Sequence, residues 1–369
     1  MTLKEKLRTL LGGLPKKIKI GKRYVGEGEP VLVIAEVGIN HNGDVELAKK
    51  LIDAAADAGA DAVKFQKRTT GEILTREGLE KPYTSPHAFA PTYGEHRNKL
   101  EFTEKDYLLL KEYAAKKGVQ FFASVWDPTS ADFMEKLGID AYKIPSADTI
   151  NIPLLEHVAK KGKPVLLSTG MNTLEEIDEA VDAVLRHNPR AIVFHCLSLY
   201  PSPEEMINLK FMDVIRDRFA PLPFGYSGHE MGMLPTLAAV ARGAHIVERH
   251  LTLDKKMKGS DHAASLEPQQ FKELVEQIRQ IEKIHGVPER IMYDELKPLR
   301  EKLAKSVATK TAIPAGAVIT YEMLTIKGPG HGIRPGKLYE LVGRVAAKDL
   351  DEDIVIPNEA LNWPRRSSF

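Results

Sequence analysis

Eight short apolar runs, each followed by a stretch of helical periodicity, occupy residues 31 to about 285. They are VLVIAEV (31–37), DAVKFQ (61–66), QFFASV (120–125), AYKIPS (141–146), PVLLST (164–169), AIVFHC (191–196), PFGYSG (223–228) and HIVERHLT (245–252). Continuous apolar runs are the mark of strands buried on both faces of a parallel sheet. The segments between them, such as DVELAKKLIDAAADAGA and TLEEIDEAVDAVLRH, carry apolar residues at helical spacing. Eight β–α units in about 250 residues predict an α/β chain closed into a (β/α)8 TIM barrel. The rival is an open doubly wound sheet.

The last barrel helix is expected over 267–285, giving a catalytic barrel domain over 1–285 and a charged linker over 286–304. Residues 305–369 then break into short β-like pieces punctuated by Pro and Gly, which predicts a small β-rich domain. Its core is too small to stand securely alone, so docking on the barrel or on a partner chain is expected. One connection, residues 67–103, is unusually long and rich in Lys, Arg, His, Tyr and Pro. Long connections in compact domains tend to be functional, and this one is expected to cover the barrel mouth.

A net charge of +1 makes no electrostatic case for nucleic acid or a membrane surface. The N-terminal stretch MTLKEKLRTLLGGLPKKIKIGKR is basic and mildly amphipathic, without the apolar core of a signal peptide. Cys196 is the only cysteine, which excludes an internal disulfide and any multi-cysteine metal site. The expectation is a cytoplasmic protein acting on small molecules.

In barrels of this kind the chemistry sits where strands end. The polar residues there are Glu36 with Asn40, His41 and Asn42; Lys64 and Gln66; Lys143, Ser146 and Asp148; Ser168, Thr169 and Gly170; His195, Ser198 and Tyr200; Ser227 and His229; and Glu248 and His250. A lysine inside VKFQ or YKIPS is costly to bury. Its bland reading is an edge-strand side chain reaching solvent. Its functional reading is a pair of cations that bind phosphate or carboxylate, joined by the hydroxyls of Ser146, Ser168, Ser198 and Ser227 and by helix N-termini.

His229 and His250 close neighbouring runs, with Glu230, Glu248, Asp254, Asp261 and His262 near the same ends. Either they are satisfied core imidazoles or they share a divalent metal. Two neutral nitrogens make a weak site, which a carboxylate, water or substrate must complete. That suits Mn2+ or Mg2+ better than a closed zinc site. His195 and His262 are weaker candidates. GPGHG (328–332) lies in the β-rich tail rather than at a strand–helix turn, so no nucleotide fingerprint is expected.

The stretches IAEVGINHNGD, AVKFQ, KIPSADTINIPLL, LSTGM, GYSGHE, ERHLTLDKKMKGSDHAASLEP and KSVATKTAIPAGAVIT resemble the sialic acid synthases. These are the N-acetylneuraminate and N-acetylneuraminate 9-phosphate synthases. The resemblance covers about residues 20–355 and includes the C-terminal domain, which is similar to type III antifreeze protein (the SAF, or β-clip, fold). It implies condensation of phosphoenolpyruvate with N-acetylmannosamine or its 6-phosphate and water, giving N-acetylneuraminate or its 9-phosphate and phosphate.

By the same resemblance His229 and His250 hold Mn2+, or another divalent ion, that polarises the sugar aldehyde. Glu36 and Asp148 position groups and move protons. Lys64, Lys143, Ser146, Ser168, Ser198 and Ser227 bind phosphoenolpyruvate. Gln66, Tyr200 and Asp261 contact the N-acyl-hexosamine. Many relatives have Glu where Asp148 stands and some have Asn where Ser198 stands. Some place an Arg where Gly328 stands, reaching the acyl group in a partner subunit's site; Arg334 or Lys327 is the substitute here. A domain-swapped homodimer is implied. Two alternatives stay open: a synthase of legionaminic or pseudaminic acid using another hexose, and a non-catalytic glycan-binding protein. Loop 67–103, with YGEHR, serves either as a 6-phosphate site or as an ordinary lid.

Overall fold

The structure is a computed structural model that describes residues 13–365. Most of the basic N-terminal segment, residues 1–12, lies outside the described residues. The chain divides into two compact units, residues 1–286 and 287–369.

The first unit begins with an antiparallel hairpin, β1 (Lys17–Ile20) and β2 (Arg23–Gly26). Eight parallel strands follow: β3 (Leu32–Gly38), β4 (Ala62–Lys67), β5 (Gln120–Val125), β6 (Tyr142–Ile144), β7 (Val165–Ser168), β8 (Ala191–Cys196), β9 (Phe224–Gly228) and β10 (Ile246–His250). They close in the order β10-β3-β4-β5-β6-β7-β8-β9. The pairing of His250 with Glu36 between β10 and β3 joins the two ends, so the open-sheet rival is excluded.

Strand parity divides the barrel interior into layers. Side chains two residues apart point the same way. Leu32, Ile34, Ala62, Phe122, Leu166, Ile192, Phe194 and Ile246 point inward and pack with Ile18, Ile20 and Val25 of the hairpin. The hairpin thereby stops the N-terminal end of the barrel. Each buried aliphatic side chain in this plug contributes about 2 kcal/mol by leaving water. The odd-phase residues of the same strands, such as Val33, Ala35, Val63, Phe65 and Val247, face outward and pack against helices through Leu51, Leu154, Val181 and Leu274. Asp44, Asp127 and Thr173 cap the helices Val45–Asp57, Pro128–Leu137 and Leu174–Leu185 with their side chains.

Connection 67–103 contains three short helices, Thr70–Ile73, Arg76–Glu80 and Tyr93–Leu100. Such short pieces do not register as a periodic pattern. A reciprocal Thr92–Glu95 capping box holds the start of the last.

The second unit carries one antiparallel pair, β11 (Ser306–Thr309) and β12 (Leu324–Lys327), with isolated bridges such as Ile313–Leu350 and Val318–Val345. Its core is built from Val307, Ile313, Ile319, Leu324, Leu341, Ile356 and Trp363, among others. No helix among the described residues is long and apolar enough to cross a membrane.

Candidate active site

One step above the apolar plug, the same strand parity turns Glu36, Lys64, Ser124, Lys143, Ser168, Cys196, Ser227 and Glu248 inward. Both lysines are buried, 3% and 2% exposed, so neither reaches solvent from an edge. Lys64 Nζ lies 2.8 Å from Glu36 Oε2 and 3.5 Å from Glu248 Oε1. Lys143 Nζ lies 2.9 Å from Glu248 Oε2 and 4.5 Å from the Phe194 ring centre. Two lysines therefore face two carboxyl groups in a dry setting, with Glu248 as the bridge.

Burial pushes Glu36 up to about 7, against the pull of Lys64. For Glu248 burial acts the same way, but Lys143 and Lys64 overcome it and hold the carboxyl at about 2. Burial also lowers Lys143, while the charges of Glu248 and Glu36 lift Lys64 above the ordinary lysine value despite its burial.

Hydroxyls ring this cluster. Lys64 donates to Ser124 Oγ at 2.7 Å, and Ser227 donates to Glu248 Oε1 at 3.2 Å. Ser146, Ser168 and Ser198 complete the ring from β6, β7 and the end of β8. Gly170 keeps the space between them open: a Cβ there would lie 2.3 Å from Ser198 Oγ and 3.1 Å from Ser146 Oγ. On the other side Gly38, at φ 55°, leaves room for Glu36 and the His250 ring, which a Cβ would approach to 3.2 Å.

His229 and His250 stand above the serines on adjacent strands, ring centres 5.3 Å apart. His229 Nδ1 is 2.8 Å from the Leu197 carbonyl, which fixes the ring with Nε2 free. His250 Nδ1 is buried without a hydrogen-bond partner, and its nearest carboxylate oxygen is Asp261 Oδ2 at 3.7 Å. Burial pushes His250 down to about 3, so the ring is neutral. Two imidazoles with an unpartnered nitrogen fit a divalent ion with open positions. Among the described residues no group of three or more His, Cys, Asp or Glu side chains is arranged to hold a metal, so oxygen donors from water or substrate must complete such a site.

Glu36, Lys64, Gln66, Lys143, the four serines, Tyr200, His229, His250 and Asp261 line this one cavity of about 670 Å3, whereas Asp148 and Arg334 do not. Tyr200 packs its ring 4.0 Å from His229, and Gln66 donates to Glu36 Oε1 at 3.0 Å. Asp148 falls on the turn after β6, where it accepts from Asn151 at 3.1 Å outside the lining. Arg334 is exposed in the second unit.

Other strand-end candidates are structural. Glu230 pairs with Arg249 at 2.8 Å, and Asp254 accepts from the Lys256 backbone. His195 bonds the Ile207 carbonyl, and His262 bonds Thr252. Asn40 ties Leu251 to Ser265.

Ser124, Glu248 and Arg68 are among the lining residues that escaped the choice of ligands from sequence. Ser124 precedes an apolar Val125, so its strand lacks a polar end, yet it shares the phase of Phe122. Glu248 was visible as a strand-end carboxylate, but its bridge between two lysines depends on barrel closure. Arg68, first after β4, stacks its guanidinium 4.1 Å from the Trp126 ring centre. Loop 67–103 contributes Tyr83, His87, Tyr93 and Arg97 to the same cavity.

The NeuB family pattern matches residues 51–290, and the SAF domain pattern matches residues 304–362. The N-acetylneuraminate-9-phosphate synthase of Homo sapiens is 41% identical over 341 residues, covering 92% of this chain and 95% of that protein. The N,N'-diacetyllegionaminic acid synthase of Legionella pneumophila is 38% identical, covering 90% and 94%. Among solved structures, the N-acetylneuraminic acid (sialic acid) synthetase of Leptospira borgpetersenii has a TM-score of 0.69 at 35% identity, covering 78% of this chain and 95% of that one.

Proposed function

The chain belongs to the NeuB family, and from that membership we propose that it condenses phosphoenolpyruvate with an N-acyl-hexosamine aldehyde and water, releasing phosphate. The observation that carries this reading is the buried lysine pair beneath two histidines, ringed by serines. The lysine and serine floor suits the carboxylate and phosphate of phosphoenolpyruvate. Gln66, Tyr200 and Asp261, higher on the wall, suit a polyhydroxy chain.

The enol ester's C3 forms the new bond to the aldehyde carbon, and the aldehyde oxygen takes a proton. Water adds at C2 as positive charge develops there, and loses a proton. The resulting hemiketal phosphate breaks its C2–O bond to phosphate as its C2 hydroxyl gives up its proton to the leaving phosphate and closes to a ketone. Lys64 and Lys143 hold the anion through these steps. Glu36, raised to about 7, is placed to exchange protons near neutral pH. A Mn2+ or Mg2+ ion held by His229 and His250 supplies Lewis-acid polarisation of the aldehyde when bound. Asp148, half-buried beside the floor, reaches the reaction only through a neighbouring group or a shift of its turn.

The connecting segment of the second unit exposes Ile291, Tyr293, Leu299 and Leu303. Such a row supports burial in an assembly, in keeping with a swapped homodimer in which Arg334 meets the acyl group. The 38% relative supports a second reading, a 2,4-diacetamido-trideoxyhexose acceptor.

The test is phosphate release from phosphoenolpyruvate with Mn2+ and each of three acceptors: N-acetylmannosamine, its 6-phosphate and 2,4-diacetamido-2,4,6-trideoxymannose. Release with one acceptor, and at least a hundredfold loss in His229→Ala and His250→Ala, is expected. No release with any of them by a protein that binds phosphoenolpyruvate would refute the acceptor class.

A further inference from the structure

The chemistry above uses the cavity's floor and histidines but leaves its mouth unexplained. There Arg68 and Arg97 line the wall together with His87, Tyr83 and Tyr93. Arg97 is held by a neutral partner: its Nε and Nη2 donate to Tyr93 Oη at 2.9 and 2.6 Å, and its guanidinium lies 4.9 Å from that ring centre. Among the described residues no carboxylate reaches ion-pair distance of it.

Tyr93 is itself fixed. Its ring lies 5.3 Å from Tyr83, and it opens a helix whose capping box sets the orientation. Arg68 has one weak carboxylate contact, Glu101 at 3.9 Å, and that carboxylate is shared with Lys67. His87 Nδ1 accepts from the Gly259 backbone at 3.4 Å, which leaves its ring proton on Nε2 as a donor.

Burial, with the charge of Arg97 beside it, lowers Arg68 to about 10. Holding two guanidinium groups together over a cavity costs stability unless an anion joins them. Asp261, whose carboxylate feels the charge of Arg97, also faces His250 at 3.7 Å. Asp261 therefore marks a continuous wall from the histidines, where the aldehyde reacts, to the arginines. An open-chain sugar with C1 at the histidines would run along this wall toward the cations.

We propose that Arg97, with Arg68 and His87, forms a second anion subsite that takes a phosphomonoester at the far end of the acceptor, so that the acceptor is a hexose 6-phosphate. The inference rests on the condensation reading. It also separates the two acceptors left open there, because a 6-deoxy sugar has no oxygen at C6 to carry phosphate.

The experiment compares kcat/KM for N-acetylmannosamine 6-phosphate and N-acetylmannosamine in the full chain and in Arg97→Gln, following phosphate released from phosphoenolpyruvate. The full chain is expected to prefer the 6-phosphate at least tenfold. In the variant that preference shrinks about tenfold to hundredfold, the loss expected for charge-assisted hydrogen bonds. Taking the ratio within one sample removes any effect of misfolded protein.

A full-chain preference for the unphosphorylated sugar, an equal loss on both sugars, or a raised KM for phosphoenolpyruvate in place of the sugar would overturn the subsite. If neither sugar releases phosphate, the condensation reading falls on its own. Trp126 emission, titrated with each sugar in the presence of phosphoenolpyruvate, then decides the subsite. A change with the 6-phosphate alone supports it, and no change overturns it.

Discussion

Lys64 and His41 show two outcomes of burial. Lys64 keeps its charge because two carboxylates meet it inside the barrel, 2.8 and 3.5 Å away. Removing one partner of such a buried pair costs about 3–5 kcal/mol, since the other charge stays behind. His41 has no such partner. It is 1% exposed, stacked 4.1 Å from Phe102, and its Nδ1 accepts from the Gly43 backbone at 3.0 Å. Burial pushes its pKa down to about 3, below the ordinary histidine value near 6.5. The unfolded chain therefore binds the proton more readily. Stability from this group is complete above about pH 6.5 and is lost as pH falls toward 3, at up to about 1.4 kcal/mol per pH unit. Urea unfolding between pH 4 and 8 is expected to show a shallower acid slope for His41→Phe than for the unaltered chain; equal slopes would remove His41 from the account.

At the scale of elements, parity explains both what sequence reasoning reached and where it stopped. The eight strands were legible because each is a short apolar run bounded by helical periodicity, and the serines and histidines stood out at strand ends. Whether Lys64 and Lys143 were edge or interior residues was not legible, because closure of β10 onto β3 is a contact across more than 200 residues. The hairpin β1–β2 was hidden in a basic stretch, where KIKI alternates over only four residues with burial on every second one. Asp148 follows its strand by a turn, and strand-end position alone cannot say which way a turn points.

Gly170 offers a test at this scale. Its added Cβ meets a serine hydroxyl that can rotate away and, at 3.1 Å, the Ser198 backbone nitrogen, which must give by a few tenths of an ångström, so Gly170→Ala is expected to fold with a modestly lowered Tm. The displaced Ser198 hydroxyl leaves the cradle, and KM for phosphoenolpyruvate rises about tenfold, the worth of one hydrogen bond to a charged group. An unchanged KM would place the anion elsewhere.

As a whole molecule, the chain consists of two bodies of unequal strength. The barrel unit owns both an interior plug and a large helix–strand core, whereas the second unit relies on one small cluster. A chain ending at Gly286 is expected to unfold in a single cooperative thermal transition with a Tm within a few degrees of the barrel transition in the full chain. Its phosphate release is expected to fall at least tenfold if, as proposed above, a swapped arrangement draws the acyl-group contact from the second unit. A barrel that fails to unfold cooperatively would show that the unit is not self-sufficient.

The hairpin that stops the N-terminal end has a further consequence for timing. A vessel with one opening is emptied in the reverse order of filling. On the proposed condensation, the ligand of the lysine floor is expected to arrive first, and the phosphate left there to leave last, behind the sugar product. An acceptor that enters too early would then cork the passage, and excess acceptor is expected to slow phosphate release instead of saturating it.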